Sequence, residues 1–80
     1  MDMTEIRVPT TIASDIRASI GRWFKRPGDV VTSGEPLVEI EADNTTLEVH
    51  APVTGVLSKR LLDDGQSVRP GDLLGVITTY

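Results

Sequence analysis

Pro36-Leu37-Val38-Glu39-Ile40-Glu41-Ala42-Asp43-Asn44-Thr45-Thr46-Leu47-Glu48-Val49-His50-Ala51 is the stretch that decides the fold. Apolar or β-branched residues recur at every second position over 36–40 and again over 46–51. That period turns one row of side chains inward and the other to water, so the two runs predict a half-buried antiparallel pair. Residues 41–46 between them read as a turn with Asp43-Asn44 at the tip. Asp and Asn tolerate turn conformations and bond to nearby backbone, so the dipeptide closes a hairpin. A side chain held at such a tip is presented, not packed.

Outward from this hairpin the chain keeps the same grammar. Glu5-Ile6-Arg7-Val8-Pro9 alternates and ends at a proline, which has no amide hydrogen for a ladder, and so reads as a first, edge-type strand. Residues 10–17 have no clear period and read as a surface loop. Ala18-Ser19-Ile20-Gly21-Arg22-Trp23-Phe24-Lys25 resumes alternation until Pro27-Gly28-Asp29. Val30-Val31 is a short strand before the turn Thr32-Ser33-Gly34-Glu35. After the hairpin come a turn at Pro52-Val53-Thr54-Gly55, a strand over 56–61, a turn at Asp63-Asp64-Gly65, Ser67-Val68, a turn at Pro70-Gly71-Asp72, and a last strand over 73–78. Short strands punctuated by Gly, Pro and Asp specify an all-β, flattened barrel or sandwich of two roughly four-stranded antiparallel sheets. Its expected core is Val8, Ile20, Trp23, Val31, Leu37, Ile40, Leu57, Val68, Leu74 and Ile77.

The second half echoes the first. An offset of 37 sets Gly28 on Gly65, Val31 on Val68, Gly34 on Gly71, Leu37 on Leu74 and Ile40 on Ile77. Gly21 with Lys25-Arg26 resembles Gly55 with Lys59-Arg60 at an offset of 34, which predicts about three extra residues near 61–64 of the second copy. Ile6-Arg7-Val8-Pro9 likewise echoes the run ending Val49-His50-Ala51-Pro52. Two half-units that cannot each bury a face must bury them against one another, which predicts a pseudo-two-fold axis with the organising hairpin at one end and the termini at the other.

Composition narrows the chemistry. Eighty residues make one domain spanning 1–80, because a chain this short buries only about 60 % of its unfolded surface and cannot divide its core. Twelve acidic against eight basic residues give a net charge of −4, which disfavours a nucleic-acid or anionic-membrane surface. Cysteine is absent, so disulfides, thiolate nucleophiles and cysteine metal sites are excluded. No apolar run approaches the roughly 18 residues of a span, and residues 1–5 carry no targeting pattern, from which a cytoplasmic, monomeric domain is expected.

Glu39-Ile40-Glu41-Ala42-Asp43, Leu47-Glu48-Val49 and Ala51-Pro52-Val53-Thr54-Gly55-Val56-Leu57, with Lys25-Arg26-Pro27-Gly28-Asp29-Val30-Val31 before and Gly65-Gln66-Ser67-Val68-Arg69-Pro70-Gly71-Asp72-Leu73-Leu74-Gly75 after, resemble a lipoyl domain of the biotinyl/lipoyl-like family. The resemblance covers nearly the whole chain. Ile20-Gly21-Arg22-Trp23-Phe24-Lys25-Arg26-Pro27-Gly28-Asp29 is similar to the N-terminal domain of the dihydrolipoamide succinyltransferases of 2-oxoglutarate dehydrogenase complexes. In that family the tip reads Asp-Lys, and the lysine carries lipoate in amide linkage as a swinging arm. The arm takes an acyl group from a thiamine-dependent decarboxylase, passes it to coenzyme A and is reoxidised by a flavoprotein. The resemblance therefore implies a carrier rather than an enzyme, with those two components and a lipoate attachment enzyme as partners.

Carried over residue by residue, the resemblance places Asp43 and Asn44 at the lipoyl position and Ile12, Ala13, Ser14, Asp15, Ile16, Glu41, Ala42 and Thr45 at partner-recognition positions. Asn44 stands where the family has its lysine. Its amide nitrogen is delocalised into the carbonyl and cannot serve as the amine that a lipoate ligase requires, so no lipoyl cofactor is expected on this chain. Ile12-Ala13-Ser14-Asp15-Ile16 also departs from the family's usual Gly-Glu-Ser loop, and His50 replaces the usual proline.

Simpler readings stand beside these. Asn44 by itself is an ordinary turn residue, and only its surroundings make its identity informative. A single histidine without cysteine cannot make a typical metal site. Glu41, Asp43 and Glu48 read as a solvated acidic tip rather than catalytic carboxylates, for want of a companion base or nucleophile. Lys25-Arg26 and Lys59-Arg60 read as exposed strand ends. Three classes follow in order: an unmodifiable lipoyl-type carrier, an interaction or structural module on the same scaffold, and a biotin carrier. The last is disfavoured because Ala42-Asp43-Asn44-Thr45 lacks both the lysine and its flanking methionines.

Overall fold

A computed structural model describes residues 2–10 and 17–79. It contains eight strands: β1 Asp2–Arg7, β2 Ala18–Trp23, β3 Val30–Val31, β4 Pro36–Ala42, β5 Thr45–His50, β6 Gly55–Arg60, β7 Ser67–Val68 and β8 Leu73–Thr79. They form two four-stranded antiparallel sheets, ordered β1-β8-β6-β3 and β5-β4-β2-β7. The all-β sandwich expected from alternation is the fold observed, with β1 at a sheet edge.

The two-fold relation is more regular than residue identities indicate. An offset of 37 carries β2 onto β6, β3 onto β7 and β4 onto β8 residue for residue, while β1 maps onto β5 at an offset of 43. The hydrogen bonds obey it. Gly28 N donates to Leu57 O and Gly65 N to Ile20 O, each at 2.7 Å, and Leu57 N donates to Asp29 O as Ile20 N does to Gln66 O, each at 2.9 Å. The offset of 34 is therefore a misreading. Gly21 corresponds to Ser58, not Gly55, since each is skipped where its ladder shifts register, between Ile20/Arg22 and between Leu57/Lys59. A bulge is set by backbone pairing, and either a glycine or a serine can occupy it. No residues are added near 61–64. The length difference lies instead between β1 and β2, where residues 8–17 number ten against the four of residues 51–54 between β5 and β6.

Four turns of one design join the short strands. In Arg26-Pro27-Gly28-Asp29, Thr32-Ser33-Gly34-Glu35, Asp63-Asp64-Gly65-Gln66 and Arg69-Pro70-Gly71-Asp72, the fourth N–H donates to the first C=O at 2.9 to 3.1 Å. The third residue is glycine at φ 99°, 89°, 83° and 86° respectively, the left-handed position that a type II turn requires. The fourth side chain then accepts from the first N–H: Asp29 Oδ2 at 2.8 Å, Glu35 Oε1 at 3.1 Å, Gln66 Oε1 at 2.9 Å and Asp72 Oδ2 at 2.8 Å. Each turn is thus closed by backbone and side chain together. The recurring Gly-Asp and Gly-Glu pairs are structural.

All ten residues expected in the core are buried, joined by Ile6, Ala18, Val38, Ala42, Val49 and Ala51. Trp23 supplies the one aromatic ring of the core among the described residues. Its indole N–H donates to Leu62 O at 2.7 Å, which satisfies the one polar atom such a ring brings inside. Arg60 lies over that ring at 5.8 Å and pairs with Asp63 at 3.2 Å, while Lys25 pairs with Glu35 at 3.1 Å. Lys25 and Arg60 are therefore half-buried structural residues, not bare strand ends; Arg26 and Lys59 are exposed. No charged or polar residue is buried among the described residues.

Candidate functional site

The β4–β5 hairpin is tighter than its sequence indicates. Pairing runs to Ala42↔Thr45, so Asp43-Asn44 alone makes the turn instead of residues 41–46. Asp43 has φ 58° and Asn44 does not have positive φ, the sign pattern of a type II′ hairpin turn. Such a turn matches the twist of the flanking strands, and Asp is among the few L-residues that occupy the left-handed region at modest cost. Asp43 N also donates to Arg17 O at 3.3 Å, fastening the tip to the chain just ahead of β2.

The base of the hairpin is fixed and its end is open. Ile40 is fully buried, and Ala42 and Val49 are 7 % and 8 % exposed. Beyond them Glu41, Asp43, Asn44, Thr45 and Thr46 all face solvent. Ala42 thus anchors the tip to the core and does not present a side chain there, unlike the neighbours with which it was grouped as a recognition residue. The signal was available, since Val38, Ile40 and Ala42 alternate. Ile12, Ala13, Ser14, Asp15 and Ile16 lie outside the described residues.

The tip is acidic and chemically quiet. Glu41 and Asp43 make no ion pair among the described residues, and Glu48 approaches His50 Nε2 at 3.6 Å on the exposed face of β5. No group of three or more His, Cys, Asp or Glu is placed to hold a metal among the described residues. Among the described residues no helix is long and apolar enough to cross a membrane. What the site offers is a set of solvent-facing polar side chains, with Asn44 at the turn of a two-stranded ribbon.

A pseudo-symmetric eight-stranded sandwich with one protruding two-residue hairpin defines the class. A family profile described as "Biotin-requiring enzyme" matches residues 4–77, and the chain belongs to this biotin/lipoyl domain family. Within the family it matches lipoyl domains of 2-oxoglutarate dehydrogenase succinyltransferases. The dihydrolipoyllysine-residue succinyltransferase component of the 2-oxoglutarate dehydrogenase complex of Bartonella vinsonii subsp. berkhoffii is 46 % identical over 74 residues, 92 % of this chain, and that of Bacillus subtilis is 41 % identical over 76 residues, 95 % of it. The chain spans 18 % of the length of each. Among solved structures, the lipoyl domain of the 2-oxoglutarate dehydrogenase complex from Azotobacter vinelandii superposes with TM-score 0.76 at 35 % identity, covering 92 % of this chain and 94 % of that one. The Kluyveromyces lactis urea carboxylase contains a segment of the same fold, with TM-score 0.81 at 27 % identity, covering 98 % of this chain and 6 % of that one.

Proposed function

We propose that the chain is a lipoyl-type carrier domain of the succinyltransferase of a 2-oxoglutarate dehydrogenase complex, in a form that holds no lipoyl arm because Asn44 occupies the attachment position. The observation that carries this reading is the placement of Asn44, exposed at the tip of the two-residue β4–β5 turn of a family scaffold. Lipoate does not fit this site. Attachment joins the lipoate carboxyl to an amine, and a carboxamide nitrogen has no free lone pair to offer. Among the described residues no hydroxyl is hydrogen-bonded to a histidine or carboxylate, which supports a domain that carries or docks.

The decarboxylase and flavoprotein of the complex and a lipoate attachment enzyme are the partners in this reading. They are met by the tip residues Glu41, Asp43, Asn44 and Thr45 together with residues 12–16. A module that docks without ever having used an arm is the second reading, favoured by the same Asn44. A biotin carrier ranks third, because the fold is shared but Asp43 and Thr45 stand where methionines would flank the lysine.

The test is Asn44→Lys. Wild type and variant are incubated with lipoate, ATP and a lipoate ligase, and intact mass is measured. One lipoyl group on the variant and none on wild type is expected, with Lys25 and Lys59 untouched because neither lies at the hairpin tip. An adduct on wild type would place the site elsewhere, and none on either would favour the docking module.

A further inference from the structure

We infer that Asn44-Thr45-Thr46 is an acceptor for an N-linked sugar, with the Asn44 carboxamide nitrogen taking a glycosyl group from a phosphate-activated donor. Asn44 is the sole asparagine of the chain, and it opens an Asn-Xaa-Thr sequence in which Xaa is not proline. All three residues are exposed. Asn44 lies in the turn directly ahead of Thr45 and Thr46, which open β5. No side-chain hydrogen bond engages Asn44 or Thr46 among the described residues. The positive φ of the turn falls on Asp43, not on Asn44. Modification is inferred to occur with the hairpin folded, Thr45 and Thr46 staying paired with Ala42 and Glu41.

The carboxamide that fails as an acyl acceptor becomes a nucleophile here only as a base of the transferase withdraws one of its protons and frees the delocalised pair. An N-glycosidic bond forms between Asn44 Nδ2 and the sugar C1, and the C1–O bond to the donor phosphate breaks. One carboxamide proton passes to a base of the transferase, and the phosphate leaves with the bonding pair. The amide stays an amide and nothing is oxidised or reduced. A nucleotide sugar and a lipid-linked pyrophosphate glycan share this chemistry.

The experiment has one arm for each donor. Purified chain is incubated with UDP-glucose and a soluble transferase that reads Asn-Xaa-Thr, or with a lipid-linked oligosaccharide and a membrane oligosaccharyltransferase, and intact mass is followed by fragmentation. One sugar adduct on Asn44 in at least one arm is expected, and the arm that yields it identifies the donor. Asn44→Gln and Thr46→Val are expected to stay unmodified while keeping the β-type circular dichroism of wild type. An unmodified wild type in both arms would overturn the inference, including the case in which a free peptide of residues 40–50 is modified and the folded chain is not. Modification of Thr46→Val to the wild-type extent would overturn it too. This test uses wild-type Asn44 and the lipoylation test uses Asn44→Lys, so either reading can fail without the other.

Discussion

Replacing Gly65 by L-alanine and by D-alanine separates backbone handedness from crowding. Gly65 has φ +83°, and a Cβ added there meets nothing within 4 Å. An L-alanine therefore costs only the left-handed conformation, about 1–2 kcal/mol. A D-alanine favours that same φ and carries no such cost, while the narrowing of the unfolded ensemble is the same for both enantiomers and cancels between them. The two enantiomers should differ by about 1–2 kcal/mol with identical composition. Chains made by chemical synthesis and unfolded in urea, with a slope of about 1 kcal/mol/M for a domain of this size, should have midpoints about 1–2 M apart. Thermal midpoints should differ by about 4–16 °C at 4–8 °C per kcal/mol. Coincident midpoints for the two enantiomers would refute the turn argument, because only handedness distinguishes them.

Two further outcomes follow from the core and the turns. Ile40 and Ile77 are related by the offset of 37 and both are fully buried, so Ile40→Ala and Ile77→Ala should each cost about 2–5 kcal/mol and agree to about 1 kcal/mol in urea unfolding; a cost confined to one of them would count against equivalent cores. The Glu35 carboxyl is held below the usual glutamate range by the Thr32 N–H first and the Lys25 ammonium second. A lowered folded value stabilises above the unfolded pKa and is lost as pH falls through the folded one, so wild type should exceed Glu35→Gln in thermal midpoint at pH 7 and the gap should close on acidification; a gap unchanged down to pH 2 would contradict the pairing.

Alternation and turn chemistry made most of this fold legible. Every strand was placed to within a few residues, because Gly, Pro and Asp punctuate the chain where type II turns need them. Two features escaped. Leu37 and Val38 are both buried, since pairing shifts register between Pro36 and Val38 and breaks the simple period. The equivalence of Gly21 with Ser58 was hidden because a bulge constrains the ladder and leaves the side chain free. At the candidate site, the exposure of Asp43, Asn44 and Thr45 followed from turn residues, whereas the burial of Ala42 required counting inward from Ile40. The reach of Arg17 to the tip depends on a carbonyl oxygen, which carries no residue signature at all.

The two-fold axis gives the hairpin tip a counterpart. The offset of 37 takes Ala42 to Thr79, and that of 43 takes Asp2 to Thr45, so the pair Ala42↔Thr45 that closes the tip is mirrored by Asp2↔Thr79, which also pair across a ladder and share a bond from Thr79 Oγ1 to Asp2 O at 3.2 Å. β8 and β1 are thus a hairpin without its turn. Two residues bridging Thr79 to Asp2 would close it, and opening the chain in the bend at 52–54 would keep both sheets with their pairings unchanged. A permuted chain of this kind would own two tips, one native and one built. With lysine at each, it would carry two arms on a scaffold evolved to present one.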